Sequence, residues 1–193
     1  MDQEPSLAPQ QEAELLAIAR RAVGERVRGT LVSEVVTADP LLSAPGAAFV
    51  TLMEHGTLRG CIGYVQPIAS LGETVALCAA AAASEDPRFP PIKEHELSDT
   101  QLEISVLSPL ALLLDVRQLR VGVHGLCISH HGRRGLLLPQ VAAERNWDAE
   151  TFLRQTCLKA GLPANQWREQ AEIQVFTVHH FSDGLPIEVA PPR

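Results

Sequence analysis

The sequence predicts an α+β protein with flanking helices around a mixed or mainly antiparallel central sheet. Stretches with the two-residue alternation of strands follow one another along the chain, and stretches with helical spacing fall between these groups. A doubly wound parallel sheet requires regular alternation of strands and helices, with a glycine-rich turn after a strand. Neither G-x-G-x-x-G nor G-x-x-x-x-G-K occurs in the chain, so we favour antiparallel pairing.

The composition indicates a soluble globular protein. The 193 residues can form one sizeable core or two small ones, and 46% of them are hydrophobic. The formal net charge of -7 argues against a general electrostatic grip on nucleic acid or anionic lipid. No apolar run is long enough to span a membrane, and the acidic N-terminus lacks the features of a signal peptide. We therefore predict a cytoplasmic protein without a membrane partner.

Local signals divide the first half of the chain into two helices around a hairpin. Residues 1–10, with Pro5 and Pro9, are predicted to be a disordered lead-in before a helix over 11–27. An extended connector follows over 28–46, with a short strand at 31–36. The predicted hairpin then has strands at 47–54 and 57–63, joined by a tight turn at His55-Gly56. Ser70 and Glu73 form a capping box that starts a helix running to residue 84.

The second half of the chain predicts short strands and one further helix. The strands are expected at 101–107, 120–124, 126–129, 136–138 and 172–179, with a solvated turn at 130–135. Asp148 is the predicted N-cap of a helix over 149–160, and Gly161 ends it. Residues 186–193 are expected to form a frayed tail, which leaves 11–185 as a single domain.

The segment Asp86–Pro91 is predicted to be a shaped loop because its three prolines fix an extended path. It holds one arginine and one aromatic residue. Arg88 and Phe89 either line a pocket, or Phe89 fills the core while Arg88 binds carbonyl groups or an acid.

The segment Leu58–Gly63 is the strongest candidate for a functional site. In a regular strand Arg59 and Cys61 point to the same side, and a guanidinium beside a thiol favours the reactive thiolate. Gly60 and Gly63 have no Cβ, which lets a ligand or another chain approach the backbone closely. The pattern predicts Cys61 as a nucleophile or covalent carrier, with backbone N–H groups near the two glycines stabilising an oxyanion.

A nucleophile usually needs a base, and the candidates are His55, Glu103 and His124. Glu103 has the best claim, because a carboxylate inside a sheet needs a partner such as Arg59 or Arg88. The predicted catalytic residues are thus Cys61, Arg59 and Glu103. The predicted binding residues are Gly60, Gly63, Arg88 and His124.

Two other kinds of site have some support in the sequence. A metal site would combine His124 and Cys127 with His179 or His180, but no second short ligand pair matches the first, so we predict no metal and no cofactor. The turn with His130, His131, Arg133 and Arg134 has charges that suit phosphate, yet such turns are usually solvated, and we expect no nucleic-acid partner.

Four segments together resemble the AMMECR domain family, also called AmmeMemoRadiSam system protein A. They are Leu58–Gly63, Asp86–Pro91, Gly135–Val141 and Cys157–Leu162, and the resemblance covers roughly residues 12 to 182 in the same order. It implies an α+β fold of a larger and a smaller subdomain around a central antiparallel sheet. It also implies association with a Memo-type protein and a radical SAM protein, and it attaches a suspected site to Arg59, Gly60, Cys61 and Gly63.

Two functions are compatible with these observations. The first is an enzyme in which the Cys61 thiolate attacks an electrophilic carbon or accepts a group from a partner enzyme. The second is a non-catalytic interaction or substrate-presenting module, in which the glycine-rich strand and its arginines form a docking surface.

Overall fold

The computed structural model describes residues 5–184. Within this range the chain divides into two compact units. The larger unit consists of Ser6–Val106 with the chain that returns from His179, and the smaller unit consists of Leu107–Val178. The α+β class, the mainly antiparallel strands and the two subdomains are confirmed, with the strands divided between two sheets.

The larger unit contains three helices and four strands among the described residues. They are α1 (Pro9–Val27), α2 (Pro40–Ser43), β1 (Ala47–Glu54), β2 (Thr57–Gly63), α3 (Leu71–Ser84), β3 (Thr100–Leu107) and β8 (Val178–Ser182), with a 3-10 turn at Glu94–Glu96. The strands form one sheet in the order β2-β1-β3-β8. The core side chains come from α1, α3 and one face of this sheet, and include Leu15, Val75, Val50 and Ile104.

The smaller unit has the other four strands. Its elements are β4 (Ala111–Leu112), β5 (Gly125–His130), β6 (Arg133–Leu137), α4 (Pro139–Glu144), α5 (Ala149–Lys159) and β7 (Glu172–Phe176), with 3-10 turns at Val116–Gln118 and Gln166–Arg168. The sheet order is β4-β7-β5-β6, and each neighbouring pair is antiparallel. Phe152 and Leu153 of α5 pack with Ile128 and Val175 of the sheet to form a separate core.

Local signals placed several elements correctly. The hairpin strands have the predicted bounds, and the turn between them takes positive φ at His55 (49°) and Gly56 (75°), as a two-residue hairpin turn requires. The capping box of α3 is confirmed. Asp148 caps α5 through its side chain, which accepts the backbone N–H of Thr151.

Other predictions were wrong where the outcome depends on contacts distant in sequence. Helix α1 begins at Pro9, and Leu7 is already buried, so the predicted lead-in extends too far. No strand forms at 31–36 or 120–124, and α2 and α4 were not predicted. The predicted strand 172–179 is two strands, β7 and β8, in different sheets. The predicted tail 186–193 lies outside the described residues, among which no helix is both long and apolar enough to cross a membrane.

The N-terminus of α3 offers a test of the fold, because two side chains there satisfy otherwise unpaired backbone groups. The Ser70 hydroxyl accepts the N–H of Glu73 at 3.3 Å, and the Glu73 carboxylate accepts the N–H of Ser70 at 3.1 Å. We expect Ser70→Ala to lower the free energy of unfolding by about 1 kcal/mol, measured by urea denaturation.

The matched control is Ser6→Ala, since Ser6 is exposed and its hydroxyl forms no hydrogen bond with another described residue. Equal stability of the two variants would contradict the capping role of Ser70.

Candidate functional site

A β-bulge in strand β2 sets the geometry of the candidate site. In the hairpin register Met53 pairs with Leu58 and Leu52 pairs with Gly60, which leaves Arg59 as an extra residue. A bulge interrupts the alternation of side chains and redirects the side chain at the extra position. The alternation from which we predicted a shared face for Arg59 and Cys61 therefore does not hold across this residue.

Arg59 binds its own chain and does not bond to Cys61. Its Nε donates to Glu96 Oε1 at 2.8 Å, Nη1 donates to the Pro90 carbonyl at 2.6 Å and Nη2 donates to the Pro91 carbonyl at 3.2 Å. The side chain is only 12% exposed. Hydrogen bonding to Arg59 holds the pKa of the Glu96 carboxyl below its ordinary value. Arg59 thus fastens the loop after α3 to the strand.

Cys61 lies opposite Thr51 across the hairpin. The backbone N–H and carbonyl of Cys61 bond away from β1, as in a non-hydrogen-bonded antiparallel pair, whose side chains lie close together. Thr51 Oγ1 donates to Cys61 Sγ at 3.2 Å. Cys61 is a partly exposed residue, whereas Cys78, Cys127 and Cys157 are buried. A hydroxyl that donates to sulfur stabilises negative charge there.

The ion pair of Asp86 and Arg88 occupies the open edge of β2 at Cys61. Among the described residues strand β2 is the edge of its sheet, so no strand of that part of the chain pairs with its outward backbone groups. Asp86 Oδ2 accepts the Cys61 N–H at 2.9 Å, and Arg88 Nη2 donates to the Cys61 carbonyl at 3.4 Å. The two side chains together provide one acceptor and one donor, as a paired strand would. Of the backbone N–H groups near Gly60 to Gly63 that were predicted to stabilise an oxyanion, the one on Cys61 is already bonded to Asp86.

Asp86 is the buried member of this ion pair. Its side chain is 3% exposed, against 54% for Arg88, and it accepts from Arg88 Nε at 2.9 Å and from Arg88 Nη2 at 2.6 Å. These bonds from Arg88, and then the bond from the Cys61 N–H, hold the pKa of the Asp86 carboxyl far below its ordinary range. The Phe89 ring lies against the guanidinium, 5.3 Å from its carbon to the ring centroid, and is half-buried instead of filling the core.

The two glycines of the motif accommodate the protein's own chain, not a ligand. A Cβ on Gly60 would lie 2.2 Å from the carbonyl oxygen of Ala82 in α3. One on Gly63 would lie 2.2 Å from the Phe49 ring. Their predicted role in ligand approach is therefore replaced by close packing of the hairpin against α3 and Phe49.

Glu103 lies on the same face of the sheet as Thr51, and it bonds to neither of the arginines predicted to pair with it. It alternates with the core residues Leu102 and Ile104, so its side chain points to the opposite face of the sheet. No residue among 5–184 forms a hydrogen bond or ion pair with its side chain. The predicted pairing with Arg59 or Arg88 is wrong, because those arginines bind Glu96 and Asp86.

His124 belongs to the smaller unit, where it is buried, and its Nδ1 accepts the N–H of Arg120 at 3.2 Å. Two of the other proposed metal ligands have contacts of their own, and the proposed base His55 is exposed in the hairpin turn. Cys127 Sγ accepts from Arg134 Nε at 3.0 Å, and His179 Nε2 lies 2.6 Å from Glu12 Oε1. Within the described range, no three His, Cys, Asp or Glu side chains cluster as metal ligands would.

Sequence reasoning missed Thr51, Asp86 and Glu96. A regular hairpin with the turn at His55-Gly56 would place Val50 opposite Cys61, and the bulge moves the pairing by one residue to Thr51. The acid two residues before Arg88 in a proline-fixed loop was a usable signal for the ion pair, because such a short span allows the side chain to bond to the following backbone and side chain.

The model of the AMMECR1 family matches residues 16–181. The chain belongs to the AMMECR1 family. A protein of Thermococcus onnurineus is 43% identical over 184 residues, which cover 89% of this chain and 90% of that protein. A protein of Methanothermobacter thermautotrophicus is 47% identical over 156 residues, covering 77% of this chain and 81% of its own.

The fold is also found in a crystal structure of this family. An uncharacterized protein from Pyrococcus horikoshii matches with a TM-score of 0.82 at 38% identity, covering 89% of this chain and 91% of that one. The names of these AMMECR1 relatives state no reaction.

The Asp86 carboxylate gives this AMMECR1 protein a testable dependence of stability on pH. We expect Asp86→Asn to lower the free energy of unfolding by about 2 kcal/mol at pH 7, because charge-assisted hydrogen bonds are lost. The pKa of Asp86 is lower in the folded state than in the unfolded state, where it is about 3.9. The ionised carboxylate therefore stabilises the folded protein at pH values above this unfolded pKa. That stabilisation is lost as the pH falls from the unfolded pKa through the folded pKa. The difference between wild type and variant should therefore be about 1 kcal/mol smaller at pH 3.

Urea unfolding at both pH values measures this difference. Asp99→Asn is the matched control, since Asp99 is exposed and its carboxylate bonds to no other described side chain. A wild-type advantage that is the same at pH 3 and pH 7 would show that the Asp86 charge does not stabilise the folded state.

Proposed function

We propose that the protein acts as a covalent carrier, in which the Cys61 thiol takes up a group from an electrophile and presents it to a partner. The observation that supports this most is the hydrogen bond from Thr51 Oγ1 to Cys61 Sγ at 3.2 Å on a partly exposed edge strand. Cys61 is a partly exposed residue, its sulfur accepts from a donor that stabilises negative charge, and Asp86 and Arg88 hold its backbone in place.

The carrier role suits the site better than hydrolytic turnover. Among residues 5–184, no histidine and no unpaired carboxylate bonds to the Cys61 sulfur, and Asp86 is committed to Arg88 and to a backbone N–H. A hydrolase needs a base to activate water for the second step. A carrier needs only one attack on the electrophile, since the acceptor brings its own chemistry.

The partners in this proposal are a Memo-type protein and a radical SAM protein. The proposal of these two partners is supported by the fact that the chain belongs to the AMMECR1 family, because the resemblance to that family implies this association. A carrier fits such a system, because it passes a reactive group between two enzymes without releasing it to solvent.

A docking module is the alternative function. The contacts of Arg59 argue against a docking surface in which this arginine binds the partner. Arg59 is 12% exposed and bonds to Glu96 and two proline carbonyls, so little of its guanidinium is accessible to a partner. In a docking module the Cys61 thiol would have no special reactivity.

The rate of alkylation by iodoacetamide at pH 7.5 tests the carrier. We expect Cys61 to react faster than the neutral model thiol N-acetylcysteine amide. We expect Thr51→Val to slow the reaction by about two- to tenfold, the equivalent of one lost hydrogen bond. Peptide mass spectrometry assigns the label to Cys61 rather than to a buried cysteine.

Thr57→Val is the matched control, because it makes the same chemical change at an exposed position of β2 whose hydroxyl bonds to no described residue. A folded wild-type protein whose Cys61 reacts no faster than the model thiol would leave the docking module as the better explanation.

A further inference from the structure

We infer that the electrophile carries a carboxylate, and that Arg88 binds this carboxylate while Cys61 attacks the neighbouring carbon. The inference rests on the proposed carrier function and adds the class of substrate. It depends on three features of Arg88, which are its fixed position beside Cys61, its outward charge and its unused donors.

The position of the guanidinium is fixed by several contacts. Nε and Nη2 bond to the two oxygens of Asp86 at 2.9 and 2.6 Å, and the Arg88 backbone N–H also donates to Asp86 at 3.1 Å. Nη2 reaches the carbonyl of Cys61 at 3.4 Å, and Phe89 supports the group from its ring face. A planar guanidinium held in this way is preorganised for a second planar anion.

The ion pair directs positive charge toward solvent. The carboxylate is 3% exposed and the guanidinium side chain 54% exposed, so the negative end lies inside and the positive end outside. Hydrogen bonding to Asp86 raises the pKa of the Arg88 guanidinium above its ordinary value. Its Nη2 donates to the Cys61 carbonyl at 3.4 Å, so the positive charge lies beside the residue that carries the thiol.

Arg88 has hydrogen-bond donors left for a ligand. A guanidinium has five N–H groups, and no acceptor among residues 5–184 bonds to Nη1. Arg59 cannot serve in its place, since Glu96 and two carbonyls occupy it. Glu103 is a negative side chain on the same sheet face as Thr51, but its strand lies one position farther from β2. It therefore does not compete with a substrate carboxylate for Arg88.

The chemical step is a displacement or addition–elimination at carbon. The thiol proton passes to solvent, the thiolate sulfur forms a bond to the electrophilic carbon, and the leaving group departs with the electron pair of its broken bond. No oxidant or reductant is consumed. The carboxylate remains intact as the group by which Arg88 orients the reactant.

Two alkylating agents that differ in charge test the inference. Iodoacetate has the carboxylate and iodoacetamide does not, while both give the same S–C bond and release iodide. For Cys61 we expect the ratio of the iodoacetate rate to the iodoacetamide rate to exceed that of N-acetylcysteine amide by about two- to fivefold, as for one exposed ion pair. Arg88→Gln should return the ratio to the model value, and Arg88→Lys should retain part of the preference.

Arg21→Gln is the matched control for the loss of one positive charge, because Arg21 is exposed on α1, and its ratio should equal that of wild type. Raising the salt concentration should lower the wild-type ratio, since screening weakens exposed charge pairs. This measurement decides the question even if Arg88→Gln does not fold.

The outcomes separate the inference from the proposed function. If Cys61 reacts rapidly with iodoacetamide but its ratio equals that of the model thiol, the carrier stands and the carboxylate inference is overturned. A high ratio that neither Arg88→Gln nor salt changes also overturns it, because the preference would have another source. Slow reaction with iodoacetamide itself rejects the carrier.

Discussion

The hydrogen bond from the Cys61 N–H to the buried Asp86 carboxylate is the interaction on which the site depends. It links the edge of a sheet to the loop after α3 and orients the carboxylate that holds Arg88. An unprotected edge strand exposes a row of backbone groups to other chains. Here an ion pair covers the edge at one residue, and Arg59 binds the carbonyls of Pro90 and Pro91 beside it. The loop is not extended throughout as the prolines predicted: it turns at residues 87–89, where the Phe89 N–H donates to the Asp86 carbonyl at 3.1 Å, and Pro90 and Pro91 follow without backbone donors.

The bulge at Arg59 determines which face of the sheet carries the thiol. In the unbulged register Cys61 would pair with Val50, a core residue, and a shift of one residue reverses the face of every following side chain. The bulge instead pairs Cys61 with Thr51 and turns Arg59 toward the loop. One inserted residue therefore places the sulfur away from the core, next to a hydroxyl. Ile62, the next residue, packs against the core opposite Val50.

The parts of the fold that were predictable are those with local physical causes. The hairpin turn, the Ser70–Glu73 capping box and the Asp148 cap each depend on residues within a few positions of one another. The division of the last predicted strand between two sheets, and the lack of a strand at 31–36, depend on which distant segments compete for pairing. At the candidate site, composition and spacing selected Cys61 and Arg88, and the structure brings these two residues into contact through the Cys61 carbonyl. The neighbours predicted for Arg59 and Glu103 were wrong. The prediction assumed a regular two-residue alternation along the strand, which reveals neither the bulge nor the contacts of the 86–96 segment.

The proposed covalent carrier is tested most directly by the chemical state of Cys61 after contact with the two proposed partners. The protein would be incubated with the Memo-type and radical SAM proteins and their reactants, digested, and analysed by fragmentation mass spectrometry, which distinguishes Cys61 from Cys78 in one tryptic peptide. The account predicts an added mass on Cys61 that is absent from Cys61→Ser and reduced in Thr51→Val. An unmodified Cys61 while the partners turn over, or an adduct confined to another residue, would contradict it.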